Sequence, residues 1–157
     1  GQWILMAQQI YSALSCAHAH GVIHGNLRPS NILFAENHFI KVTDFGFPAH
    51  SYSESDNWYR MKNANESKAA DIYAAGVILF QLLSGIYPQE SFLNWKNYWA
   101  LRHIPRKLRA IVLLLTQQNP KKAYKNADAA MQALKDFYDQ QNTRMAEKVY
   151  ITKRSNT

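Results

Sequence analysis

One stretch constrains the fold of this chain more than any other: residues 24–46, which begin HGNLRPSNIL and end KVTDFG. Asn26 stands five residues before Asn31, and Asp44 stands thirteen residues after Asn31. Amide and carboxylate oxygens are the ligands that Mg²⁺ prefers in proteins. These intervals and residue types therefore mark the stretch as the first place to look for chemistry.

The stretch resembles the catalytic loop and the metal-binding loop of Ser/Thr protein kinases, in which H-R-D-x-K-P-x-N is followed by D-F-G. The resemblance extends over residues 3–138, because the pattern D-I-Y-x-x-G at 71–76 and the turn N-P-K-K at 119–122 follow in the family's order. It implies a mainly α-helical domain, the large C-terminal lobe of a kinase with one or two short β-hairpins. The small lobe is expected to be absent, since too few residues precede Trp3 to form it.

The catalytic loop departs from the family pattern at three positions. Asn26 replaces the catalytic aspartate, and a neutral amide is not a useful base. Gly25 replaces the loop arginine, and Arg28 stands where the loop lysine would be. With His24, these positions form a degenerate loop, and no catalytic residue is expected.

The substrate-docking part of the lobe is altered as well. No A-P-E triplet follows the metal-binding loop; residues 59–63 stand roughly in its place. Ala123 occupies the position of the arginine that would pair with the A-P-E glutamate. Both partners of that ion pair are missing together, which indicates that the pair has been lost.

Asn31 and Asp44 match the two metal ligands of the kinase arrangement. We interpret them as structural, with Asn31 holding the loop and Asp44 capping a turn, because two oxygen ligands bind Mg²⁺ poorly without the phosphates of ATP. They are expected to bind a cofactor only if ATP–Mg is bound. No cofactor and no resident metal are otherwise expected.

Three further residues match positions that support the kinase fold. The resemblance implies that His24 and Phe45 stack in the hydrophobic spine of the lobe. It also implies that Asp71 accepts hydrogen bonds from the backbone of the catalytic loop. We therefore predict structural roles for all three, with His24 a buried core histidine.

Hydrophobic periodicity predicts several helices around one core, which a chain of 157 residues can bury as a single domain. Residues 3–20 predict an amphipathic helix whose buried face includes Trp3. Residues 68–84 predict a helix that from Val77 is apolar on every side, the pattern of a helix buried all round. Residues 32–34 and 39–42 predict a hairpin. The domain is expected to cover 1–140, followed by a polar, loosely ordered tail at 141–157.

A basic segment follows the buried helix. Residues 91–127 contain no Asp or Glu, and aromatic residues stand among its basic ones. The basic residues are Lys96, Arg102, Arg106, Lys107, Arg109, Lys121, Lys122 and Lys125. A solvated basic surface with the aromatics in the core is the favoured interpretation. Binding of single-stranded nucleic acid and docking of an acidic protein stay open.

Bulk properties place the chain in a broad class. The single cysteine, Cys16, forms no internal disulfide, so a reducing compartment and a cytoplasmic location are expected, with the thiol buried. The longest apolar runs are too short to span a membrane. The net charge of +7 favours acidic partners.

Three functions are compatible with these observations. The first is a catalytically inactive, pseudokinase-like module that binds a protein partner or a second copy of itself as a scaffold or regulator. The second is a remnant Ser/Thr kinase that binds ATP–Mg and transfers phosphate weakly, with a small lobe supplied from elsewhere. The third is a basic module that binds nucleic acid or an acidic partner.

Overall fold

The computed structural model describes residues 2–47, 54–61, 66–86, 95–116 and 121–155. This part of the chain is mainly α-helical with one two-stranded sheet, as the sequence predicts. Three segments singled out in the sequence extend outside the described residues. They are the altered docking segment (at 62–65), the start of the basic segment (at 91–94) and part of the N-P-K-K turn (at 117–120). The helices and strands are α1 (Gln2–Ala19), β1 (Ile32–Phe34), β2 (Ile40–Val42), α2 (Lys68–Ser84), α3 (Trp95–Ala100), α4 (Arg106–Leu115) and α5 (Ala127–Ser155).

Helix α1 packs against α2 and α5, and this contact determines which of its residues are buried. The buried residues recur every three or four positions, and include Ile4, Tyr11, Leu14 and His18. Trp3, which we expected on this face, is 41% exposed. The buried stripe is therefore rotated around the helix from the predicted one and includes a histidine.

Helix α2 forms the centre of the domain. Its residues from Asp71 to Phe80 are all buried, which agrees with the all-round apolar pattern. The hydroxyl of Ser67 caps its first turn by accepting a hydrogen bond from the backbone N–H of Ala70 at 3.1 Å. Gly85, with φ of +72°, ends it in the left-handed conformation.

The crossing of α2 and α4 brings two backbones together at Gly76. A Cβ atom placed on Gly76 would lie 2.8 Å from both the Cβ atom and the carbonyl oxygen of Leu115. The absence of a side chain at Gly76 therefore allows the close approach of the two helices.

The predicted hairpin is present as an antiparallel pair. Ile32 pairs with Val42, and Phe34 with Ile40. The amide oxygen of Gln9 in α1 accepts a hydrogen bond from the backbone N–H of Ile40 at 3.0 Å, which fixes the hairpin against α1.

The last helix extends beyond its predicted end. Asn126 caps it by accepting a hydrogen bond from the backbone N–H of Ala129 at 2.8 Å. Residues 141–155, predicted as a loosely ordered tail, continue the helix to Ser155. Good helix formers such as Met145, Ala146 and Glu147 occupy this region. Each added residue gains one hydrogen bond once a helix has started.

The structure bears on two expectations drawn from bulk properties, the burial of Cys16 and the length of the apolar segments. Cys16 is exposed, so the prediction of a buried thiol was wrong. The reason is its position on α1, about 200° around the helix from buried Leu14. Among the described residues, no helix is long and apolar enough to cross a membrane.

Candidate functional site

Asp71 connects the central helix to the degenerate catalytic loop. Its side chain is 2% exposed. One carboxylate oxygen accepts a hydrogen bond from the backbone N–H of His24 at 2.8 Å, and the other accepts one from the backbone N–H of Gly25 at 2.9 Å. The carboxylate thereby satisfies two N–H groups of a loop that has no regular backbone pairing.

His18 is a third partner of Asp71 that the sequence analysis missed. Its Nε2 atom lies 2.8 Å from the carboxylate oxygen that also binds His24. The backbone oxygen of His18 accepts a hydrogen bond from the Lys68 ammonium at 2.8 Å. The signal was available, because His18 lies four residues after Leu14 and seven after Tyr11 on the same face of α1.

His24 is fully buried and contacts the phenylalanine of the D-F-G sequence. The ring centroids of His24 and Phe45 lie 4.7 Å apart, with the planes inclined by 41°. The backbone N–H of Asn26 lies 3.4 Å from Nδ1 of His24, and the backbone oxygen of His24 accepts a hydrogen bond from the N–H of Gly46 at 3.3 Å. These contacts join the catalytic loop to the metal-binding loop.

Burial lowers the pKa of His24 below its ordinary value of 6.5, because desolvation disfavours the imidazolium; nearby Asp71 and Asp44 oppose the shift without cancelling it. The unfolded chain therefore binds a proton to this residue at a higher pH than the folded chain does. Between pH 6.5 and the lower pKa of the folded state, stability falls as the pH falls.

This difference predicts acid sensitivity that depends on one residue. Urea unfolding between pH 7 and pH 5 should show a loss approaching about 1.4 kcal/mol per pH unit from His24. The His24→Asn variant should have a smaller slope, while His20→Asn, at an exposed position, should keep the wild-type slope. Equal slopes for wild type and His24→Asn would contradict the prediction.

The two candidate metal ligands lie on neighbouring parts of the loop and hairpin. The Asn31 amide donates a hydrogen bond to the backbone oxygen of Asn26 at 3.0 Å, and the backbone oxygen of Asn31 accepts one from the N–H of Thr43 at 2.9 Å. Asp44, which follows Thr43, is exposed and has φ of +62°. One of its carboxylate oxygens accepts a hydrogen bond from the Thr43 hydroxyl at 3.2 Å.

The donor set fits a phosphate-bound cation better than a resident metal. Asn31 Oδ1 and the Asp44 carboxylate are hard oxygen donors of the kind Mg²⁺ takes, but two donors leave most of its coordination to other ligands. Within the described residues, no group of three or more His, Cys, Asp or Glu side chains is placed to hold a metal.

The space beside Gly25 is occupied by an acidic residue. A Cβ atom on Gly25 would lie 3.2 Å from the carboxyl group of Glu66, and Gly25 has φ of +77°. Arg28 is half-buried in the same loop. A larger side chain at position 25 would therefore require both backbone strain and a shift of Glu66.

The structure brings together only part of the predicted basic patch. The guanidinium of Arg102 lies over the ring of Trp99 and that of Arg109 over the ring of Tyr98. The ammonium of Lys107 instead donates a hydrogen bond to Gln140 of α5 at 2.6 Å. Lys121, Lys122 and Lys125 lie in the turn that precedes α5, Arg106 begins α4, and the side chain of Lys96 lies outside the described part.

Comparison with known proteins identifies the family. The "Protein kinase domain" family model matches residues 2–149. The probable serine/threonine-protein kinase PknB of Lactococcus lactis is 29% identical over 78% of this chain and 24% of its own length. A probable serine/threonine-protein kinase of Clostridium acetobutylicum is 27% identical over 96% of this chain and 28% of its own length.

A third relative, the serine/threonine-protein kinase pkn3 of Myxococcus xanthus, is 36% identical over 58% of this chain and 20% of its own length. The chain thus spans about a quarter of the length of these relatives. Together with the order of the loop, the D-F-G sequence and the central helix, the match shows that the chain belongs to the protein kinase family.

Proposed function

We propose that this chain is a pseudokinase-like module, a kinase large lobe retained for its shape, which binds a protein partner and does not transfer phosphate. Asn26 carries the proposal, because it stands where the family has its catalytic aspartate. Its neutral amide cannot act as the proton acceptor that the catalytic aspartate supplies.

The contacts of the loop support a structural role for the residues that remain. Asp71 uses its carboxylate on backbone N–H groups and His18, and His24 is buried against Phe45. These interactions hold the loop in place without requiring a substrate or a nucleotide. A sequence that keeps them while losing the catalytic carboxylate is the pattern expected of a binding module.

Apolar surface on the hairpin supports a protein partner or a second copy of this chain. Leu33, Phe34 and Phe39 are 51%, 69% and 64% exposed. Neighbouring exposed side chains of this size mark an interaction surface more often than isolated ones do. We place the scaffold contact on this side of the domain, and we expect no cofactor.

A remnant kinase is the second candidate, and the match of Asn31 and Asp44 to the two metal ligands of the kinase sequence pattern supports it. If ATP–Mg binds, Asn31 Oδ1 and the Asp44 carboxylate would hold the metal, and bound Mg²⁺ would neutralise charge on the phosphates. Asn26 would then only orient a hydroxyl group, since it cannot remove the proton.

Phosphate transfer tests the proposal. The chain incubated with labelled ATP and Mg²⁺ should leave a general protein substrate unlabelled, and calorimetry should detect no heat from ATP–Mg. Micromolar binding that Asp44→Ala abolishes would instead support the remnant kinase.

A further inference from the structure

A basic and aromatic surface lies where α3 approaches α4. We define the α3–α4 face by Tyr98, Trp99, Arg102 and Arg106, all of which are exposed. Tyr98 is 51% exposed and Trp99 is 57% exposed, so these rings lie at the surface and not in the core. The favoured interpretation of the sequence, aromatics in the core beneath basic residues, was wrong for these two rings.

The rings of this face hold two guanidinium groups, that of Arg102 in the face and that of Arg109 in the neighbouring α4. The guanidinium carbon of Arg102 lies 3.6 Å from the Trp99 ring centroid, and that of Arg109 lies 4.7 Å from the Tyr98 ring centroid. Arg109 Nη2 also donates hydrogen bonds to the backbone oxygens of Arg102 at 3.0 Å and Ile104 at 3.3 Å. Arg109 therefore stabilises the turn that carries Arg102.

The two arginines that define the face, Arg102 and Arg106, lack a carboxylate partner among the described residues. No carboxylate in the described part of the chain forms an ion pair with Arg102 or Arg106. The sequence contains no Asp or Glu between residues 91 and 127. A guanidinium stacked on a ring keeps its N–H edge available for a carboxylate, and loses less conformational entropy on binding than a free side chain does.

We propose that the α3–α4 face docks an Asp/Glu-rich segment of a partner protein. Carboxylates of the segment would bind the guanidinium groups of Arg102 and Arg106 in the planar, two-point geometry that arginine favours. Apolar side chains of the segment would pack on the exposed parts of Trp99 and Tyr98, residue types that contribute strongly to protein interfaces.

Acidic protein is favoured over single-stranded nucleic acid by the way the rings are used. Bases stack on the faces of aromatic rings and would compete for them with guanidinium groups. Here a guanidinium covers a face of Trp99, and another lies over Tyr98. The rings thus position cations, which suits carboxylate recognition.

This inference rests on the chain being a binding module and goes beyond the proposed function, because it adds an acidic-partner contact formed by other residues than the apolar hairpin surface of Leu33, Phe34 and Phe39. Its test is separate, because it uses residues remote in sequence from the catalytic loop and involves no nucleotide. Failure of peptide binding would leave the result of the phosphate-transfer assay unchanged. Phosphate transfer by the chain would likewise leave the result of the peptide-binding assay unchanged.

Fluorescence anisotropy at low ionic strength provides the test. The probe is a labelled peptide rich in Glu and Asp with interspersed Leu, and the control probe carries Gln and Asn at the acidic positions. Arg102→Glu and Arg106→Glu should each weaken binding of the acidic probe about tenfold. Lys148→Glu, which makes the same charge change at an exposed site on α5, should change it less than about twofold.

Four results would overturn the inference. The first is that the acidic probe does not bind, and the second is that the control probe binds as tightly as the acidic probe. The third is that Arg102→Glu and Lys148→Glu lose equal affinity for the acidic probe. The fourth is that a labelled single-stranded DNA binds more tightly than the acidic probe and that Arg102→Glu abolishes this binding. Arg102→Gln and Arg106→Gln remove the charge without reversing it, so they replace the Glu variants if circular dichroism shows that those are unfolded. Each Gln variant should also weaken binding of the acidic probe, by less than the Glu variant at the same position.

Discussion

The Asp71→Ala variant is expected to lose about 3–5 kcal/mol of unfolding free energy, because it removes the acceptor that three buried groups share. His18 and the backbone N–H groups of His24 and Gly25 would all lose their partner at a buried position. The two backbone N–H groups alone would account for a loss of about 1–3 kcal/mol. The third partner, His18, raises the expectation.

Thermal unfolding measures this effect directly. At about 2–4 °C per kcal/mol for a chain of this size, the midpoint should fall by roughly 10 °C. Asp71→Asn keeps one oxygen acceptor and should fall less. Asp139→Ala removes an exposed carboxylate from α5 and should stay within about 0.5 kcal/mol of wild type. An Asp71→Ala midpoint equal to that of Asp139→Ala would show that the network does not stabilise the domain.

The Gly76→Ala variant should be destabilised by about 3 kcal/mol, the upper end of the range for overpacked cores. Alanine normally stabilises a helix interior by about 1 kcal/mol relative to glycine. At Gly76, however, the added Cβ would lie 2.8 Å from the Cβ and the carbonyl oxygen of Leu115. Since α2 and α4 are both packed in the core, the contact is relieved only by moving one helix away from the other.

Gly21→Ala is the matched control. Gly21 has φ of +73° and no heavy atom within 4 Å of an added Cβ, so its cost is the backbone strain alone, about 1–2 kcal/mol. Urea unfolding should therefore rank Gly76→Ala below Gly21→Ala in stability. A Gly76→Ala protein more stable than wild type would exclude the close approach of the two helices.

The helices and the hairpin are predictable from local patterns, because the spacing of apolar residues within each element indicates which of its sides is buried. The all-round apolar sequence of α2 predicts its central position, and Ser67 and Asn126 are caps of ordinary type. The contact between α1 and α5 is not local, which is why the buried stripe of α1 differs from the predicted one. Trp3 is large and apolar, yet it is 41% exposed.

The candidate site is predictable where it depends on sequence spacing, and less so where it depends on packing. The resemblance names Asp71, His24 and Phe45, and the structure places these three within one network of contacts. His18 and Glu66 approach the loop only through the arrangement of α1 and the start of α2. Helical spacing places His18 on the buried face of α1 but does not name Asp71 as its partner, and no local pattern places Glu66 beside Gly25.

The proposed function depends most on one property of the chain: it keeps the shape of a kinase lobe but has no proton acceptor at Asn26. The most direct measurement is transfer of labelled phosphate from ATP–Mg to a protein substrate by this polypeptide alone, with Asp44→Ala in parallel. We predict no label above the level of Asp44→Ala. Label clearly above that level, abolished by Asp44→Ala and retained by Asp139→Ala, would contradict the account.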